Sequence, residues 1–157
     1  MIRTRRALVV AIALTAAASG LTGCASTVHL DPAAGANDPA CAEVTVRLPG
    51  ELDGQPRRWT DAQATGAWGD PAAVLLSCGL EPPGPTTLPC QSVNGVDWII
   101  DDAEAPRYRV TTFGRVPAVE VFLDTEVVSS AEVLDALSGI VGLLPTDGSV
   151  CTEQAAG

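Results

Sequence analysis

Five cysteines, at positions 24, 41, 78, 90 and 151, constrain this chain more than any other feature, because an odd number cannot all pair with one another. Cys24 stands apart from the rest. It follows a leader containing Arg3, Arg5 and Arg6, and then an uncharged span from Ala7 to Ala18 in which Thr15 is the only polar residue. A membrane-crossing helix needs roughly 20 mainly apolar residues, and this span is shorter, so residues 1–23 read as a secretory signal and not as a permanent anchor. The Arg5-Arg6 pair also fits a twin-arginine leader, which leaves the export route open.

The end of that leader, Leu21-Thr22-Gly23-Cys24, resembles the bacterial lipobox pattern Leu-x-Gly/Ala-Cys. At such a site the thiol receives a diacylglycerol and the signal is cut immediately before the cysteine, so Cys24 is expected to begin the mature chain and to anchor it in the membrane. Two acyl chains anchor stably where one is marginal, each buried methylene contributing about 0.8 kcal/mol. Residues 25–40, ASTVHLDPAAGANDPA, have neither a helical nor a strand period and read as a flexible tether that carries the only histidine, His29. The expected organisation is a signal peptide over 1–23, a lipidated cysteine and tether over 24–40, and one extracytoplasmic domain over 41–157.

With Cys24 acylated, Cys41, Cys78, Cys90 and Cys151 form an even set in an oxidising compartment, and two disulfides follow, with three connectivities open. A zinc site is disfavoured because no C-x-x-C occurs and the only histidine lies in the tether; neither a metal nor a cofactor is expected. The mature chain sets six arginines and no lysine against nineteen carboxylates, a formal charge of −13. Such a field repels phosphate backbones and anionic headgroups, which argues against nucleic acid as a partner and against membrane binding through a basic face.

Along the domain, Asp38-Pro39 opens a helix through about Leu48, and GELDGQP reads as a loop before a short strand at Arg57–Trp59. Trp68-Gly69-Asp70-Pro71 reads as a turn, residues 72–78 as a buried strand, and the proline-rich stretch GLEPPGPTTLP as an irregular connection. Asn94-Gly95 between apolar flanks predicts a hairpin over 91–100. Tyr108, Val110 and Thr112 alternate with Arg109, Thr111 and Phe113 as a half-exposed strand does, and residues 118–123 alternate again. Ser129 and Glu132 form a capping box before a helix whose Val133, Leu134, Leu137, Ile140, Val141 and Leu144 share one face. This order predicts an α+β fold, an antiparallel sheet of about four to five strands with two helices packed on one face.

The stretches AWGDPAAVLLSCG (67–79), VNGVDW (93–98) and TTFGRVPAVEV (111–121), in this order behind a lipobox, resemble an uncharacterised actinobacterial family of small secreted or lipid-anchored proteins, a domain of unknown function. The likeness covers about Cys41 to Leu144, with departures at Ser77, where an arginine is usual, and Phe113, often tyrosine. Members encoded near cell-wall precursor genes imply an envelope role. Members that carry only the equivalents of Cys41 and Cys78 imply that these two bridge each other, which leaves Cys90 with Cys151.

For chemistry, the domain lacks the histidine of nucleophilic triads and the lysine of Schiff-base catalysis, so no enzyme is expected. Asp97, Asp101, Asp102 and Glu104 gather around Trp98, a pattern read first as a solvated loop, with a carboxylate-dependent hydrolase of wall glycans as the alternative. Trp59, Trp68 and Trp98 are expected in the core, their other role being a stacking surface for saccharides. Arg115 and Asp97 are expected to pair or to line a polar cleft. The candidate ligand-binding residues are therefore Trp68, Asp70, Asn94, Asp97, Trp98 and Arg115, on a binding or scaffolding domain whose partners are the membrane, through Cys24, and an envelope protein or wall component.

Overall fold

The computed structural model describes residues 26–152; the leader, Cys24 and residues 153–157 lie outside it, and with them the signal and lipidation readings. Eight strands form: β1 (Glu51–Leu52), β2 (Gln55–Arg58), β3 (Thr65–Trp68), β4 (Val74–Leu80), β5 (Cys90–Val93), β6 (Val96–Asp101), β7 (Arg107–Phe113) and β8 (Ala118–Asp124). Helix α1 (Pro39–Thr45) precedes them and α2 (Ser130–Val141) follows. The strands form one antiparallel sheet in the order β1-β2-β3-β4-β8-β7-β6-β5. The fold is α+β as expected, but the sheet has eight strands instead of four to five.

The missed strands have physical reasons. β1 and β2 close on Asp53-Gly54, both with positive φ, so GELDGQP is a tight hairpin and not an open loop. All four residues of β3, TGAW, are buried, so it shows no alternation, and its Gly and Ala are weak strand formers. Trp68 therefore ends a strand where the composition reads as a turn. Helix α1 stops at Thr45, before the expected Leu48, where the β-branched run Val44-Thr45-Val46 loses rotamer freedom.

Register places Trp68, Val74, Leu123 and Tyr108 in one row across the sheet, and Leu76, Val121, Val110 and Ile100 in the next. Both helices cover this face. Cys41 of α1 is bonded to Cys78 of β4, and Ser138 of α2 accepts the Trp98 indole N–H of β6 at 3.1 Å. Val133, Leu134, Leu137 and Val141 bury the apolar stripe of α2, each stabilising by about 1.5–3 kcal/mol relative to exposure. The Ser129 hydroxyl accepts the Glu132 amide as the capping box requires, but the Ser129 amide goes to Asp53 of the β1–β2 turn. The second half of the cap is thus tertiary.

On the opposite face Arg109 pairs with Glu104 and Glu120 and lies over the Phe122 ring at 5.1 Å. Pro83, Thr86 and Leu88 of the proline-rich connection share a hollow with Ile99, Asp101, Arg109, Thr111 and Glu120, which traces its path over this face from β4 to the far edge strand β5. The second disulfide, Cys90–Cys151, ties that edge to the chain beyond α2. Both pairings agree with those implied by the family resemblance.

The segment read as a flexible tether is docked from Ser26 onward. Arg58 donates to the Ser26 carbonyl at 2.7 Å and also reaches its hydroxyl, Val28 bridges Thr60, and the Val28 amide donates to Trp59 O at 2.8 Å. The Leu30 amide, and after it the His29 ring, hold the Asp61 carboxyl below the usual carboxylate range. Gly35 N donates to Gly79 O at 2.9 Å, and a Cβ on Gly79, whose φ is +108°, would lie 2.4 Å from the Gly35 carbonyl carbon. Only glycines permit that approach. Among the described residues the folded unit already includes Ser26 and His29, well ahead of residue 41.

Candidate functional site

Four of the six candidate ligand residues are occupied in holding the fold. Trp68 and Trp98 have no accessible surface, their indole N–H groups donating to Pro49 O and to Ser138 Oγ, so neither offers a stacking face. Arg115 and Asp97 do not pair with each other. The Arg115 guanidinium donates to the carbonyls of Gly142, Leu144 and Gly95, closing the turn after β7 onto the end of α2, while Asp97 accepts the Cys151 amide at 2.7 Å beside the second disulfide. Register sets Asp97 opposite Phe113, two residues before Arg115, but each side chain takes a backbone partner instead of the other.

Asp70 is exposed and pairs with Arg58 at 2.9 Å, next to the docked N-terminal segment. Asn94 is the candidate that lines a cavity. It sits at the tip of the β5–β6 hairpin with φ +49°, as the Asn-Gly turn demands, and donates to Asp135 Oδ1 of α2 at 2.6 Å. That contact closes one end of a groove of about 700 Å3 between the helix-covered face of β5–β7 and the N-terminal half of α2.

α2 is held to the sheet where Ser138 meets Trp98, and the groove opens beside its first two turns. Its floor is apolar, with Val93, Ile100, Val110 and Leu134, and the half-buried Tyr108 presents a ring there. Its rim is polar and carries one carboxylate: Gln91, Ser92, Asn94, Thr125, Ser130 and Asp135. An apolar floor with a few uncharged donors and acceptors at the edge suits a ligand with one apolar face and several hydroxyl or amide groups. Apart from Asn94, sequence reasoning missed these residues. Tyr108 was readable as an inward position of β7, but Asp135 lies on the polar side of α2 and joins the site only through the hairpin opposite.

A second hollow, of about 680 Å3, lies between the end of α1 and the β2–β3 connection, lined by Thr45, Gly50, Arg57, Arg58, Trp59 and Thr65 among others. Trp59 is 78% exposed there, against the expectation that all three tryptophans fill the core. The residue follows β2 at a point where the chain turns outward to meet Val28, and its ring is left in solvent. Asp70 and Asp97 line neither hollow. Asp101 and Glu120 share the smaller depression, about 180 Å3, on the opposite face, where Arg109 lies with them.

A family model described as "Protein of unknown function (DUF3515)" matches residues 5–147. No curated protein and no solved structure matches the chain.

Proposed function

Since the chain belongs to the DUF3515 family of proteins of unknown function, its activity has to be read from its own surface, and we propose that it is an exported, lipid-anchored envelope protein that binds a wall component at the outer face of the cytoplasmic membrane. The groove between α2 and β5–β7 is the binding site in this reading. The observation that supports it most is the pairing of an apolar, tyrosine-bearing floor with a polar rim that carries a single carboxylate, which matches saccharide or short peptide chemistry more closely than a highly charged substrate. The leader, the lipobox and two disulfides support the address. The hydrolase alternative needs two carboxylates facing one ligand, and the groove has Asp135 alone.

Two experiments test this reading. Cys24→Ala is expected to move the protein from the washed membrane fraction to the soluble fraction with its far-UV circular dichroism unchanged; retention in membranes would overturn the anchor. Titration of the protein with soluble disaccharide-peptide fragments of the wall is expected to give saturable binding that weakens about tenfold in Tyr108→Ala, the scale of one lost ring contact. Absence of binding, or equal binding by the variant, would remove the groove from the proposal.

A further inference from the structure

We infer that the anchored domain lies directly on the bilayer, with the Trp59 ring set among the lipid headgroups and the groove at the opposite edge of the sheet. This rests on the proposed acylation of Cys24. The connection between anchor and domain is short. Ser26 is held by Arg58, and Cys24 is two residues earlier, so its Cα lies within about 7 Å of that of Ser26. A diacylglycerol on the Cys24 thiol therefore fixes the headgroup level close to Arg58 and to its neighbour Trp59.

Trp59 suits that level. It is the one tryptophan left exposed, its backbone carbonyl accepts the Val28 amide of the segment leading to the anchor, and an indole with an apolar body and a polar N–H favours the membrane–water interface. Val46, 76% exposed, follows Thr45, which lines the same hollow as Trp59. Among the described residues Arg57 has no carboxylate partner; it donates to Leu48 O and leaves its remaining N–H groups for lipid phosphate.

The acidic charge of the chain opposes adsorption, so the contact depends on the anchor, which keeps the patch at high effective concentration beside the lipid. β2, which leads into Trp59, and β6, in the groove, are five strand spacings apart in the sheet, about 24 Å. A domain resting on Trp59 thus presents its groove away from the bilayer, toward the wall.

The test uses the full-length acylated protein, purified from membranes and reconstituted in phosphatidylcholine–phosphatidylglycerol vesicles whose chains are plain or brominated. Brominated chains are expected to quench about half of the Trp59 contribution in the wild type, measured as the difference from Trp59→Phe, because an interfacial indole reaches the upper chain region. Identical quenching of wild type and Trp59→Phe overturns the inference. So does protection of Trp59 from aqueous acrylamide without quenching by bromolipid, which would mean that protein covers the ring. Failure of the wild type to float with the vesicles defeats the acylation reading as well, whereas flotation with an unquenched Trp59 defeats the membrane contact alone.

Discussion

Trp98→Ala is expected to lower the unfolding free energy by about 3–5 kcal/mol, the range for removing a large buried aromatic side chain. The ring has no accessible surface and lies in the core that joins β6 to α2. Its loss also strands the buried Ser138 hydroxyl, which accepts the indole N–H and is itself 1% exposed. An unpartnered buried polar group adds about 1–3 kcal/mol, so Trp98→Phe, which keeps most of the volume, should still cost more than its lost area alone. Urea unfolding of the three proteins checks this through their midpoints at unchanged slope. A loss below about 1 kcal/mol for Trp98→Ala would mean that α2 is held mainly by something else.

Removing the Cys41–Cys78 bridge is expected to cost more than removing Cys90–Cys151, although loop entropy alone predicts the reverse. The two bridges span 37 and 61 residues, and chain entropy would assign them about 3.8 and 4.3 kcal/mol. Burial reverses the order. Cys41 and Cys78 are both inaccessible and their sulfurs fill the space between α1 and β4, so Cys41→Ala/Cys78→Ala leaves a core cavity, while Cys90 and Cys151 are half-buried at the sheet edge. Losing the outer bridge releases only the chain beyond α2 and the contact of its Cys151 amide with Asp97. Unfolding midpoints of the two double-alanine variants, compared without reductant, decide between these terms: a larger loss for Cys90→Ala/Cys151→Ala would show that entropy outweighs burial here.

Elements whose determinants are local were legible. The Asn94-Gly95 turn, the alternation of β7 and β8, and the Ser129 cap of α2 each depend on residues within a few positions, and each formed as read. Elements with mixed or absent periodicity were not. β3 is buried on both sides, and β1 is two residues long, so neither carries a period from which a strand can be read.

For the groove, Asn94 was identified from its turn, while Asp135, Tyr108 and Ser130 are gathered by the packing of a helix against a sheet edge formed some twenty to forty residues earlier. The reverse error has the same origin. Trp98 and Arg115 look functional because they are large or charged beside a turn, yet the fold turns one inward and sets the other against three carbonyls, satisfying groups that burial would otherwise leave unpaired.

What the sequence determined by itself is whatever short-range stereochemistry and composition control: the α+β class, the caps, the hairpin turn, and the candidate cysteines for two bridges. The tertiary structure decided where a segment without periodicity goes. Residues 26–38 have no regular pattern, but their backbone groups pair with Trp59, Asp61 and Gly79, and Arg58 receives Ser26. Those partners are distant in sequence, and single hydrogen bonds to them leave no repeating mark in the chain. Only folding brings them together, and in doing so it turns an apparent tether into part of the domain and leaves Trp59 facing out beside it.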